Sequence, residues 1–140
     1  MTTAIVLLMV ALLQQPGTAG KSLAGRPCTG PELVGTWQLA QNGGQPPPSE
    51  YTFYKHLTPT HFVVESFDGN GKVSYSHGGT YTVSAGKYSE SITHGFGEVF
   101  ENWGRSNVVF DCRTEADRLH IVGNDGAIDE VWAHVATGSK

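Results

Sequence analysis

The sequence predicts an all-β fold, an antiparallel up-and-down β-barrel of about eight strands. Two observations carry this. Short runs of alternating apolar and polar residues recur from Leu33 to Val135, the period-2 pattern of half-buried strands, with turn-forming residues between them. The 140 residues also include 18 glycines and 7 prolines, which suits many turns rather than long helices. Eight strands is the number at which such a barrel closes and still holds one small ligand.

In chain order, Leu33 to Leu39 places Leu33, Gly35, Trp37 and Leu39 on one face and reads as the first strand. Asn42-Gly43-Gly44-Gln45-Pro46-Pro47-Pro48 excludes regular structure and forms a long loop placed to line a barrel mouth. Thr52 to Leu57 is the next strand. His61 to Phe67 and Lys72 to Ser76 flank Asp68-Gly69-Asn70-Gly71, whose residues tolerate positive φ, and make the clearest hairpin. Thr80 to Ser84 and Lys87 to His94 flank Ala85-Gly86 in a second. Residues 95–104 are the least regular part, with Phe96, Phe100 and Trp103 positioned to cap the barrel or form a lid. Asn107 to Arg113 and Arg118 to Val122 flank Thr114 to Asp117, and Gly123 to Gly126 turns the chain into a last strand, Ile128 to Val135.

The first 20 residues belong to another regime. Ala4 to Leu13 is an unbroken apolar run, about half the ~20 residues a spanning helix needs, and small residues follow it. This predicts a signal peptide over 1–20, cleaved after Ala19 or Ala24, although the segment carries no lysine or arginine. Residues 21–31 form an extended leader, 32–136 the barrel domain and 137–140 a tail. The expected location is secreted or periplasmic, without stable membrane insertion. In such a compartment Cys28 and Cys112 most simply form one disulfide. A formal net charge of -4 and no basic cluster leave no electrostatic footprint for nucleic acid.

Several short motifs stand out: Gly35-Thr36-Trp37, the run from Lys55 to Phe62, Gly78-Gly79-Thr80-Tyr81, Tyr88-Ser89-Glu90 and Glu130-Val131-Trp132. Together they resemble bacterial lipocalin-like exported proteins of mostly unassigned role. The resemblance spans Leu33 to Val135 and implies a calycin-type barrel that binds a small hydrophobic ligand in its interior. In lipocalins the first-strand tryptophan packs on an arginine near the end of the last strand. Here His134 stands in that place, so Gly35, Trp37 and His134 are the candidate barrel floor.

Strand phase then identifies polar residues among inward apolar ones. Lys55 lies between Phe53 and Leu57. Glu90 shares a face with Tyr88, Ile92 and His94. One of two phases of the last strand puts Glu130 inside with Ile128 and Trp132, and His61 sits on the face of its strand opposite Phe62 and Val64. The candidate ligand-binding set is Lys55, His61, Tyr81, Tyr88, Glu90, Glu130 and Trp132. A buried lysine and glutamate should pair with each other or with a ligand, because an unpaired buried charge is costly. The simplest structural role for such a pair is fixing strand register.

The other histidines show no close metal-ligand spacing, so neither metal nor cofactor is expected. No nucleophile elbow, phosphate loop or His-Glu-x-x-His is present. A cavity isomerase or cyclase resembling the allene oxide cyclase barrels, with Glu90 or Glu130 as base, is the alternative function. A ligand-free interaction barrel is another.

Overall fold

The computed structural model describes residues 23–97, 100–101 and 106–137. The expected signal peptide and Trp103 lie outside these residues. The described chain forms nine strands: β1 (Arg26–Pro27), β2 (Gly35–Asn42), β3 (Tyr51–Leu57), β4 (His61–Asp68), β5 (Val73–Ser84), β6 (Lys87–Phe96), β7 (Asn107–Glu115), β8 (Arg118–Gly123) and β9 (Ile128–His134). Each of β2 to β9 pairs antiparallel with its neighbours in sequence, and β2 pairs with β9, so eight strands close a ring with no free edge. The two-residue β1 is an extra strand. It pairs with Arg113 and Thr114 of β7, beyond the point where β6 begins.

Up-and-down connectivity sends alternate loops to opposite ends. The turns after β3, β5 and β7 share the lower end with the segment preceding β2. The loops after β2, β4, β6 and β8 share the upper one. Two of the lower hairpins are as tight as a chain allows. Ala85 (φ 49°) and Gly86 (φ 76°) join β5 to β6, and Ala116 (φ 51°) starts the two-residue link from β7 to β8. Positive φ at such positions matches the strand twist. The link at Ala116-Asp117 is shorter than the expected four-residue turn because pairing continues to Glu115 and Arg118.

Three sequence expectations need correction. Leu33 lies in a short 3-10 turn, Pro31–Leu33, and the first barrel strand begins at Gly35. Segments 72–76 and 80–84 are one twelve-residue strand, β5, which runs unbroken through Gly78-Gly79. At that point β6 inserts an extra residue: Gly78 faces His94 and Gly79 faces Ile92. A β-carbon on Gly79 would lie 1.9 Å from the Ser91 carbonyl oxygen, so the close approach requires glycine. The bulge also reverses the side-chain phase of β6 after Ile92, and His94 is exposed rather than inward.

The core fills the lower half of the barrel. Leu33, Trp37, Leu57, Phe62, Tyr81, Tyr88, Leu119, Ile121 and Trp132 are buried together. Cys28 and Cys112 form a disulfide with 5.5 Å between Cα atoms. The backbone around it is tied as well: Cys28 N–H donates to the Cys112 carbonyl, and Gly86 N–H donates to the Cys28 carbonyl. The amino-terminal arm is thereby fixed across the β5–β6 turn. Among the described residues no helix is long and apolar enough to cross a membrane.

Candidate functional site

At the lower end, polar atoms of the floor find partners within the protein. Trp37 Nε1 donates to the Leu33 carbonyl at 2.8 Å, and the Tyr81 hydroxyl donates to the Thr58 carbonyl. The His134 ring meets Trp37 edge-on, with centroids 4.9 Å apart and planes at 82°. An imidazole edge thus occupies the place where the resemblance implies an arginine. Gly35 makes room for it, since a β-carbon there would approach His134 Nε2 to 2.8 Å and φ is +145°.

The upper half of the interior holds a cavity of about 330 Å³. Phe53, Tyr75, Phe100, Phe110 and Trp132 supply aromatic wall, with Leu39, Val64, Ile92 and Val108 between them. Asn42, Pro47 and Pro48 also line it, so the proline-rich loop contributes to the mouth. Of the three aromatics in residues 95–104, Phe100 lines the cavity and Phe96 is exposed.

Five polar side chains on four strands define its chemistry: Lys55, Tyr75, His77, Glu90 and Glu130. Lys55 on β3 and Glu90 on β6 are 2% and 4% exposed, and Lys55 Nζ donates to Glu90 Oε1 at 2.9 Å. The same oxygen accepts the Tyr88 hydroxyl at 2.7 Å. The lysine ammonium also lies over the rings of Tyr88, Phe110 and Trp132, 5.2 to 5.8 Å from their centroids. Glu130 on β9 accepts from Trp132 Nε1 through Oε2 at 2.9 Å and makes no ion pair among the described residues. Burial raises its carboxyl above the usual carboxylate range. Glu90 adds to that shift, while Lys55 and the Trp132 hydrogen bond oppose it.

On β5 the Tyr75 hydroxyl is hydrogen-bonded to His77 Nδ1. Burial pushes the His77 pKa down to about 4, with Lys55 and His94 adding to the fall and Glu90 opposing it. The imidazole is therefore neutral at pH 7, and its Nδ1 is able to accept a hydrogen bond from the Tyr75 hydroxyl. Burial likewise holds the Tyr75 and Tyr88 hydroxyls above their ordinary range, helped by the nearby carboxylates.

The structure brings Lys55, Glu90, Glu130 and Trp132 together around this cavity. Tyr88 stands behind it and holds Glu90. Tyr81 does not line it, because its ring packs below Tyr88 and its hydroxyl is used in the floor. His61 is a correction: it is exposed at the start of β4, bonded to the Thr60 hydroxyl, since Phe62, Val64 and Ser66 take the inward phase. Tyr75 and His77 were missed. Counting a single phase through Gly78-Gly79, from Val73 to Tyr81, would have found them. No group of three metal-ligating side chains occurs among the described residues.

No protein-family model matches the chain, and no curated protein sequence matches it. Among solved structures it is similar to a lipocalin-like protein from Bacteroides uniformis ATCC 8492. The TM-score is 0.59 at 14% sequence identity, covering 74% of this chain and 99% of that one. The likeness is one of fold: a closed, antiparallel, lipocalin-like barrel of eight strands, to which this chain adds β1.

Proposed function

We propose that this is an exported lipocalin-like barrel that binds a small, mostly apolar molecule in its upper cavity. The observation that carries the reading is the cavity itself, about 330 Å³ with a mainly aromatic and aliphatic wall and a few convergent polar groups. Lys55 and Glu90 form its polar base, and Glu130 and the Tyr75–His77 pair supply hydrogen-bonding positions on the wall. The disulfide is compatible with a secreted or periplasmic location.

Mass spectrometry of the natively purified protein tests the reading, together with titration by an apolar fluorescent dye. The expected result is a retained small molecule, or dye uptake that a bulky Val108→Trp substitution at the cavity wall abolishes. A folded protein that retains nothing and admits no dye would instead be a closed interaction barrel, and binding would be rejected.

One observation favours a second reading, a cavity isomerase or cyclase. Glu130 is a carboxyl raised by burial and placed in the same cavity as a neutral histidine. A retained molecule that is released chemically rearranged, with loss of the change in Glu130→Gln, is the outcome expected of that reading.

A further inference from the structure

We propose that the ligand carries a protonated amine that docks on Glu130, so that the cavity selects small apolar amines over carboxylic acids. The inference rests on the binding function proposed above and names its ligand class. It follows from which charges in the cavity are already committed. The described lining contains one lysine, two glutamates and one histidine. Lys55 is bound to Glu90 at 2.9 Å and enclosed by three aromatic rings. Glu130 has no cationic partner among the described residues, and its hydrogen bond from Trp132 engages only Oε2.

An anionic ligand finds no free cation in this arrangement. To pair with Lys55 it has to displace Glu90, leaving a buried carboxylate whose remaining donor is the Tyr88 hydroxyl. An ammonium, by contrast, finds Glu130 Oε1 open and aromatic faces close by. The position of Lys55 shows that these walls accommodate an ammonium, since its Nζ lies 5.2 Å from the centroid of the Trp132 ring. The bound amine therefore pairs with the one carboxylate of the described cavity lining that has no counter-charge.

The protonation state of Glu130 gives an independent signature. Burial favours its neutral form in the empty cavity, with Lys55 from β3, Glu90 from β6, and Tyr75 and His77 from β5 as the other titratable groups lining the space. An arriving ammonium favours the carboxylate, so amine binding releases protons at pH values just above the ordinary carboxylate range.

The test compares three probes of similar size by calorimetry: 2-phenylethylamine, phenylacetate and 2-phenylethanol. The amine is expected to bind about tenfold or more tightly than the acid and the alcohol, the scale of one charge-assisted hydrogen bond. Glu130→Gln should remove that advantage, so that the variant binds the amine no more tightly than the alcohol. Should that variant fold poorly, the wild-type protein still decides: titration just above the ordinary carboxylate range, in two buffers of different ionisation enthalpy, should show proton release with the amine and none with the alcohol. Equal or tighter binding of the acid, or amine binding without proton release, overturns the inference. If the three probes fail while the apolar dye still enters the cavity, the amine class is rejected and the binding function stands. If the dye also fails, the binding function itself is rejected.

Discussion

The two ends of this barrel solve opposite problems with similar residues. At the lower end Trp37, Tyr81 and His134 bond or pack to the protein itself, and Leu33 is fully buried beneath them. At the upper end Tyr75, Trp132 and Glu130 surround a space that the chain leaves open. The difference is one of satisfaction. Floor polar atoms are spent on fixed backbone partners, which rigidifies that end, whereas Glu130 retains an oxygen without a protein donor among the described residues. Stability should therefore be concentrated below and binding above, a separation that substitutions can break.

The largest effect is expected from the disulfide. It closes a separation of 84 residues, for which the chain-entropy model gives about 4 to 5 kcal/mol. Cys28→Ser/Cys112→Ser should lose roughly that much in urea unfolding, while the protein that remains folded keeps its dye affinity. A variant of undiminished stability would show that the backbone bonds at Cys28 hold the arm without the covalent link. Next comes Lys55→Met, which leaves Glu90 buried without its cation and should cost about 3 kcal/mol or more. Lys55→Met/Glu90→Leu should recover most of that loss, because replacing both members of a buried pair by apolar groups is close to neutral. A double variant as unstable as the single would mean that the pair is needed for packing rather than for charge balance.

Much of this comparison was legible in the sequence, for a physical reason. Alternation along Phe53-Tyr54-Lys55-His56-Leu57 fixes which way Lys55 points once the strand is recognised, and the same holds for Tyr88 and Glu90. Irregularities in pairing hid the rest. Gly78-Gly79 looks like a break between strands, yet in β5 it is the place where glycine lets the bulged β6 backbone approach. Treating it as a break cost the phase count that reveals Tyr75 and His77, and the bulge turned His94 outward against simple alternation. Which oxygen of Glu130 lacks a donor depends on the closure of β9 onto β2 and β8, a non-local pairing that no window of sequence contains.

A smaller effect is expected from pH, and it belongs to the upper end. The His77 pKa is about 4 in the folded chain against an ordinary 6.5, so between these values the unfolded state binds more protons. Stability then rises with pH across that window and falls on acidification toward 4, by at most about 3 kcal/mol at ~1.36 kcal/mol per pKa unit. Glu130 has the opposite sign. Its raised carboxyl makes the folded state the better proton binder just above the ordinary carboxylate value, so its contribution falls as pH rises there. His77→Gln should flatten the acid limb of a urea-unfolding series from pH 7.5 to 4.5, and Glu130→Gln should steepen it. No change in either variant would mean that water in the open cavity already solvates both groups.

The smallest effect tests the floor at its one exposed member. Gly35→Ala meets two obstacles, a φ of +145° and the His134 ring 2.8 Å from the new β-carbon. The backbone strain is fixed by pairing with Leu57 on β3, whereas the exposed His134 ring can swing away at the loss of its edge contact with Trp37. Strain of this kind costs about 1 to 3 kcal/mol, and the aromatic edge contact is worth ~0.5 to 1.5 kcal/mol. Since Gly35→Ala already displaces the ring, adding His134→Ala should cost little more, and the pair should be clearly non-additive. Additive losses in urea unfolding would mean that His134 keeps its place against Trp37 beside the alanine. Dye affinity should stay constant throughout the series, because none of these atoms lines the upper cavity. A drop in affinity would show that the floor positions the walls above it, and the division between the two ends would then fail.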